Sequence, residues 1–300
     1  MKLINLLAPE FLFNPRQIFH RLAREWWQKP ALIETVWLPW RLPLRIRPHE
    51  TIGCHIWLRG VFDLVVSETI WRLTEPNELA VDVGANIGYI TSILARRAGS
   101  SGVVVAMEPF PEVFQDLKAN TLLWQEHGAI AEVRAVQIAL GSQSGTAILH
   151  LPSQEECNRG LASLRRIPGS QAVPIQTPVT TLDEFFQDDP PIGVLKIDVE
   201  GFEREVLLGA DRLLKKRRVR DIIFEESHPY PSPVTEQLRS LGYELFGLNS
   251  SRFGLRLESA GHRQPGLHDT EVPSYLATVN PQRAKTKLSQ LGWRCLCGCG

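Results

Sequence analysis

Leu79-Ala80-Val81-Asp82-Val83-Gly84-Ala85-Asn86-Ile87-Gly88-Tyr89 decides the fold of this chain. An apolar run enters the glycines, and a helical pattern, Ile90 through Arg97, leaves them. A strand that turns through glycine into a helix N-terminus is where α/β sheets bind nucleotide-like cofactors. Gly84 permits the sharp turn, and Gly88 is expected to let the helix sit close to the ligand. A dinucleotide loop needs a glycine in the middle of G-x-G-x-x-G to admit a pyrophosphate. Here that place holds Asn86, and Asp82 precedes the first glycine. A carboxylate there repels a pyrophosphate but suits a ligand carrying an ammonium and a sulfonium. The loop therefore points to S-adenosylmethionine rather than NAD.

A second strand, Val103-Val104-Val105-Ala106-Met107, ends at Glu108, about twenty residues on, as nucleotide binding requires. Glu108 is placed to accept hydrogen bonds from both ribose hydroxyls, and Phe110 to lie against the adenine face. The alternative for Glu108 is a capping role at the helix that starts near Pro111.

The alternation of strand and helix continues outward from this pair. Ala131–Ile138 reads as a third strand, Gly193–Val199 as a fourth and Asp221–Glu225 as a fifth; Tyr243–Leu248 and Tyr275–Val279 supply two more. Helices are expected over Pro111–Glu126, Glu203–Lys216 and Val234–Leu241, with short strand-like pieces such as Thr146–Leu151 interrupting the rhythm. Such alternation means a mostly parallel α/β sheet with helices on both faces. Its ligands bind beyond the C-terminal strand ends, where strand order switches. Asp82, Glu108, Asp198 and Glu225 all fall at such ends.

Lys196-Ile197-Asp198-Val199-Glu200-Gly201-Phe202-Glu203 is the other chemically loaded segment. Asp198 and Glu200 are candidates to face an acceptor, although Glu200 or Glu203 could instead cap the following helix. His228, in Glu225-Glu226-Ser227-His228-Pro229, is a candidate general base for a hydroxyl proton. Asp198, Glu200 and Glu225 also offer hard oxygen ligands of the kind magnesium prefers. The residues alone leave metal and metal-free arrangements open.

The bulk properties set bounds. Thirty-three basic residues balance thirty-three acidic ones, so no overall field steers the chain to nucleic acid. Neither a signal peptide nor a membrane-spanning run is read, and a cytoplasmic location is expected. Lys215-Lys216-Arg217-Arg218 reads as cations at a helix C-terminus rather than a phosphate site. Phe11–Gln28 patterns as an amphipathic helix with a basic face, packed on the main domain or touching a membrane surface or partner. Trp37–Arg47 reads as an edge strand bearing prolines. Five cysteines give no disulfide framework, and Cys295, Cys297 and Cys299 mark a tail expected to be disordered. The resulting division is an extension over 1–58, a cofactor domain over 59–282 and a tail over 283–300.

VDVGANIGY, EPFP, VTTLDEF, KIDVEGFE and FEES, in this order and spacing, resemble the FkbM family of S-adenosylmethionine-dependent methyltransferases over roughly Arg59–Val279. The resemblance implies a class I methyltransferase (Rossmann-like) fold, a seven-stranded sheet whose last strand is antiparallel. It also implies O-methylation of a hydroxyl on a sugar, glycolipid or other small-molecule natural product. By motif, Asp82, Gly84, Asn86, Gly88 and Glu108 would bind cofactor, and Asp198 and Glu200 would line the reaction centre. Outside this reading stand a cofactor-binding scaffold that has lost catalysis and an NAD-dependent oxidoreductase. The segment from Cys157 to Pro178, with Arg159, Arg165 and Arg166, is expected to cover the acceptor site.

Overall fold

Strands that are apolar on both faces belong in the interior of a parallel sheet, because helices cover each face. The computed structural model describes residues 8–27, 29–150, 164, 175–251, 253–261 and 272–297. The loop around Asn158, the three arginines expected over the acceptor, and Cys157 and Cys299 lie outside the described residues. Helices α1 (Pro9–Leu12) and α2 (Arg16–Trp27) come first, then a hairpin of β1 (Glu34–Trp37) and β2 (Pro43–Ile46). Helices α3 (Thr51–Arg59) and α4 (Leu64–Leu73) lead into the first core strand, β3 (Leu79–Val83). The alternation follows as α5 (Tyr89–Ala98), β4 (Val103–Met107), α6 (Pro111–Gln125) and β5 (Glu132–Val136). Short strands β6 (Ala139–Leu140), β7 (Gly145–Leu149) and β8 (Ile175–Thr180) form a separate small sheet. Then come α7 (Leu182–Phe185), β9 (Ile192–Ile197), α8 (Glu203–Leu208), α9 (Asp211–Lys215) and β10 (Val219–Glu225). The order ends with α10 (Pro233–Ser240), β11 (Glu244–Ser251), β12 (Gly254–Ser259), β13 (Ser274–Thr278), α11 (Pro281–Leu288) and α12 (Arg294–Cys297).

The main sheet runs β12-β11-β13-β10-β9-β3-β4-β5. Strands β10, β9, β3, β4 and β5 pair in parallel, and β13 is antiparallel to both its neighbours. This is the class I methyltransferase arrangement, with β12 added antiparallel on β11 as an eighth strand. Strand order switches at β3, which has β4 on one side and β9 on the other. The loops after β3, β4, β9 and β10 therefore open onto one crevice.

Several expectations are corrected. Trp37–Arg47 is no edge strand of the main sheet: the chain reverses between Trp37 and its partner Pro43, with Arg41 at φ 62. The hairpin lies over α6, where Trp124 donates through Nε1 to the Pro43 carbonyl at 2.7 Å and Asn120 exchanges two bonds with the Arg45 backbone. Its Trp40, Leu42 and Leu44 share one core with Ile93, Val104 and Ile223. Residue 58 falls inside α3, and Trp40, Leu42, Leu44 and Ile56 share a core with residues of the sheet. Phe11 is buried and Arg24 lies over the Trp57 ring, while Phe19 is 75% exposed. The helix expected over Glu203–Lys216 breaks at Gly209, where any Cβ would stand 2.1 Å from the Gly141 carbonyl oxygen.

The tail is ordered through Cys297 rather than disordered. Trp293, Cys295 and Leu296 are buried. Glu68 holds the segment: its carboxylate accepts the backbone N–H groups of Arg294 and Cys295, both at 2.9 Å, and pairs with Arg72. Arg72 in turn donates to the carbonyls of Lys287, Gln290 and Gly292. No helix among the described residues is long and apolar enough to cross a membrane.

Candidate functional site

A cavity of about 270 Å³ opens at the switch point. Gly84 and Asn86 from the loop after β3, Glu108 and Pro109 after β4, Asp198 and Glu200 after β9, and Glu225 at the end of β10 line it. Ile52, Phe62, Ile138, Leu149, Leu164 and Phe202 supply apolar walls.

Gly84 sits at φ 75, and a Cβ there would meet the Asp198 carbonyl oxygen at 1.8 Å. The absent side chain is what lets the ends of β3 and β9 close on the same floor. Gly88 has a different duty from the one expected. At φ 92 its Cβ would collide with Leu117 and Trp124 at 2.8 and 2.9 Å, so it fits α5 against α6 and lies outside the cavity lining. Asn86, at φ 50, adopts the left-handed conformation that asparagine tolerates, and its Oδ1 accepts the Ile87 N–H at 2.8 Å.

Glu108 is fixed by both oxygens. Oε2 accepts the Asn86 N–H and Oε1 the Phe110 N–H, each at 2.9 Å. Burial pushes its carboxyl up to about 7 against the pull of those two bonds. Glu108 does not cap the helix at Pro111: its bonds hold the two loops together, each oxygen keeps a second lone pair, and the residue lines the cavity. Phe110 is 4% exposed, belongs to the core, and does not line the cavity.

Asp82 is fully buried beneath the loop. Its Oδ2 accepts the Thr91 hydroxyl at 2.6 Å, while Oδ1 has no partner among the described residues. Burial raises its pKa, and the Lys196 charge opposes the rise.

Lys196, at the start of the KIDVEGFE segment, also belongs to the site. It lies buried in β9 and donates to Asp198. Burial works against its ammonium, yet the carboxylates of Asp198, Asp82 and Glu225 outweigh that and raise its pKa. A lysine inside an otherwise apolar strand was the available signal. Asp63 was missed as well. It caps α4 by accepting the Val66 N–H at 3.0 Å, with φ 35. Burial raises its carboxyl, and it feels both Lys196 and Asp198.

Glu225 is pushed up to about 8 by burial and by Asp198, with Lys196 opposing. Glu200, at φ 50, is solvent-exposed at the cavity rim. The surrounding protein and its neighbours Asp198 and Glu203 raise its pKa, a direction that solvent screening leaves intact. Glu203, the first residue of α8, caps no helical N–H but accepts those of Gly201 at 3.0 Å and Val199 at 3.3 Å in the preceding turn. His228 stands apart from the cavity lining, 55% exposed, with Nδ1 2.8 Å from Glu226. Glu226 also accepts the Ser232 hydroxyl at 2.6 Å, so this pair orders the loop before α10.

The donor set does not fit a divalent metal. Among the described residues, no three His, Cys, Asp or Glu side chains are grouped to hold one. The Lys196 ammonium stands among the acids and supplies the positive charge a magnesium ion would bring.

Comparison with known proteins agrees with this geometry. The methyltransferase FkbM domain family matches residues 82–245, more than half of the chain's 300 residues. Methyltransferase sdnD of Sordaria araneosa is 31% identical over 192 residues, 55% of this chain and 71% of that protein. The hexuronic acid methyltransferase AglP of Haloferax volcanii is 30% identical over 197 residues, 64% of this chain and 74% of that one. A solved FkbM methyltransferase structure from Methylobacillus flagellatus aligns with a TM-score of 0.45 and 14% identity, over 68% of this chain and 44% of that one. The chain thus spans less than half the length of that solved protein. The match begins at the acid of the glycine loop and runs into β11, through every strand end that lines the cavity. With strand order, acid placement and family match in agreement, this chain belongs to the FkbM family of methyltransferases.

Proposed function

We propose that this protein moves the methyl group of S-adenosylmethionine onto a hydroxyl of a sugar, glycolipid or other small-molecule acceptor. The observation that carries the reading is the excess of carboxylates at the switch point around a single buried ammonium. Such a place favours a cationic ligand. S-adenosylmethionine, when bound, supplies an electrophilic methyl on a positively charged sulfur. Glu108 would hold the ribose hydroxyls through its remaining lone pairs, and the unpaired Asp82 Oδ1 beneath the loop attracts the cationic end. Pro109 and Ile138 offer apolar contact to the base.

Lys196 donates to Asp198, which lines the cavity, and this pairing would hold the carboxylate in place beside an acceptor. Glu225, with its carboxyl raised to about 8, suits a base working near neutral pH. It would take the hydroxyl proton of an acceptor in the cavity, toward which bound S-adenosylmethionine would supply the methyl group. The apolar walls, Phe62 and Phe202 among them, exclude water and hold the acceptor in line. The relative named as a hexuronic acid methyltransferase supports a sugar acceptor.

Calorimetric titration with S-adenosylmethionine tests the cofactor half: micromolar-range binding is expected, lost in Glu108→Ala and Asp82→Ala. No binding by folded wild type would sink it. Methyl-labelled cofactor offered with hexosides and hexuronides tests the acceptor half. Label resistant to mild base marks an ether on a hydroxyl, whereas label released by base marks a carboxyl ester and would overturn the hydroxyl assignment.

A further inference from the structure

On the opposite edge of the sheet from the switch point lies a second cavity, of about 170 Å³. Trp71, Arg72, Arg97, Lys287, Gln290 and Arg294 line it: four cations and no acid among the described lining residues. Arg72, Arg97 and Lys287 stand in the last turns of α4, α5 and α11. Helix C-termini attract cations, which explains why basic residues occur here. It does not explain where their charges go.

Two of the four are accounted for by the fold. Arg72 pairs with Glu68 and donates to three carbonyls. Lys287 shares Glu75, at 2.7 Å, with Arg283. Arg97 and Arg294 have no ion pair among the described residues. Arg97 lies 5.0 Å from the centroid of the Trp71 ring, and its Nε is buried without a hydrogen-bond partner. Burial lowers its pKa, Glu75 opposes, and the like charge of Arg294 adds to the lowering. Two guanidinium groups thus face one small cavity, in a chain whose net charge is zero.

We propose that this cavity binds a phosphate group through Arg97 and Arg294, with Trp71 as its floor. Guanidinium groups present forked donors that match phosphate oxygens. At about 170 Å³ the cavity is smaller than the 270 Å³ cavity at the switch point, and it suits a single tetrahedral oxyanion. The phosphate belongs either to a small soluble molecule or to a lipid headgroup, and one experiment with two arms separates these sources.

The full chain is titrated with sodium phosphate at constant ionic strength, and sedimented with phosphatidylcholine vesicles with and without phosphatidic acid. Saturable phosphate binding is expected, weakened roughly tenfold or more by Arg97→Gln and by Arg294→Gln. Lys285→Gln, which removes a lysine of α11 that pairs with Glu244 rather than lining the cavity, is expected to bind as wild type. Arg294 is exposed, so its variant retains the fold. Vesicle binding that needs phosphatidic acid and is lost in both arginine variants assigns the phosphate to lipid. Phosphate binding without vesicle binding assigns it to a soluble molecule. The proposal is overturned if folded wild type binds in neither arm, or if binding ignores both arginine substitutions.

Discussion

Two charge clusters, one between α4 and the C-terminal segment and one around the end of β9, are balanced in opposite ways. In the Glu68–Arg72 pair the side chains are 0% and 2% exposed, and both carboxylate oxygens and all three guanidinium nitrogens are engaged. Around Lys196, one ammonium faces Asp198, Asp82 and Glu225, with Asp63 beside them, and burial holds Asp63, Asp82 and Glu225 protonated more readily than in water. A buried pair whose donors and acceptors are all satisfied is a structural clasp. A buried cluster left with surplus acid is poised to receive a positive ligand, and such perturbed groups gather at functional sites.

The sharpest way to break this contrast is Glu68→Gln. It strands the Arg72 guanidinium in the interior, and about 3–5 kcal/mol of stability should be lost. Urea unfolding reads the loss, and the folded fraction should still bind S-adenosylmethionine as wild type does. A loss within error of zero would show that the pair is not the clasp of the tail. Glu108→Gln should act chiefly on the ligand, weakening S-adenosylmethionine roughly tenfold to a hundredfold in calorimetry, with about 1–3 kcal/mol of stability lost through the one backbone N–H it leaves unpaired.

The pH response separates the clusters next. Glu225 and Glu108 rise from 4.5 to about 8 and about 7. Carboxyls raised by folding bind protons more tightly in the native state, so their stabilising effect is complete below the unfolded value and is lost as pH rises through the folded one. The ligand-free protein should therefore lose stability between about pH 4.5 and pH 8, and Glu225→Gln should flatten the upper part of that slope. A cationic ligand favours the ionised acids, so S-adenosylmethionine should bind more tightly as pH rises and should release protons, seen as buffer-dependent heats. The smallest effect is expected for Lys196→Met at about pH 6, roughly 1–2 kcal/mol, because the surrounding acids can take up protons instead. A cost equal to that of Glu68→Gln would erase the distinction.

Much of the site was legible in the residues. Asp82, Gly84, Asn86, Glu108, Asp198, Glu200 and Glu225 were named from motif and spacing, and the cavity at the switch point gathers all of them except Asp82, which lies beneath its floor. Phe110 and Gly88 lie outside the cavity lining, packed against the core and α6. No periodicity distinguishes cavity from core at these two positions. The tail was misread because its anchor is Glu68, 226 residues away from Arg294. Strand β12 escaped notice because six residues with a half-buried pattern carry too little periodicity to separate from a loop.

The sequence by itself determined the strand–glycine–helix turn, the acids at successive strand ends and, through them, the family. These are local properties: apolar runs bury on both faces, glycine alone takes the turn, and a carboxylate excludes a pyrophosphate. Only the tertiary structure decided that Lys196 stands among the carboxylates of three different strands, that His228 lies outside the cavity, and that four cations from separate helices meet at the far edge. Coulomb interaction and desolvation depend on distances across the sheet, and those distances join residues that the chain itself keeps far apart.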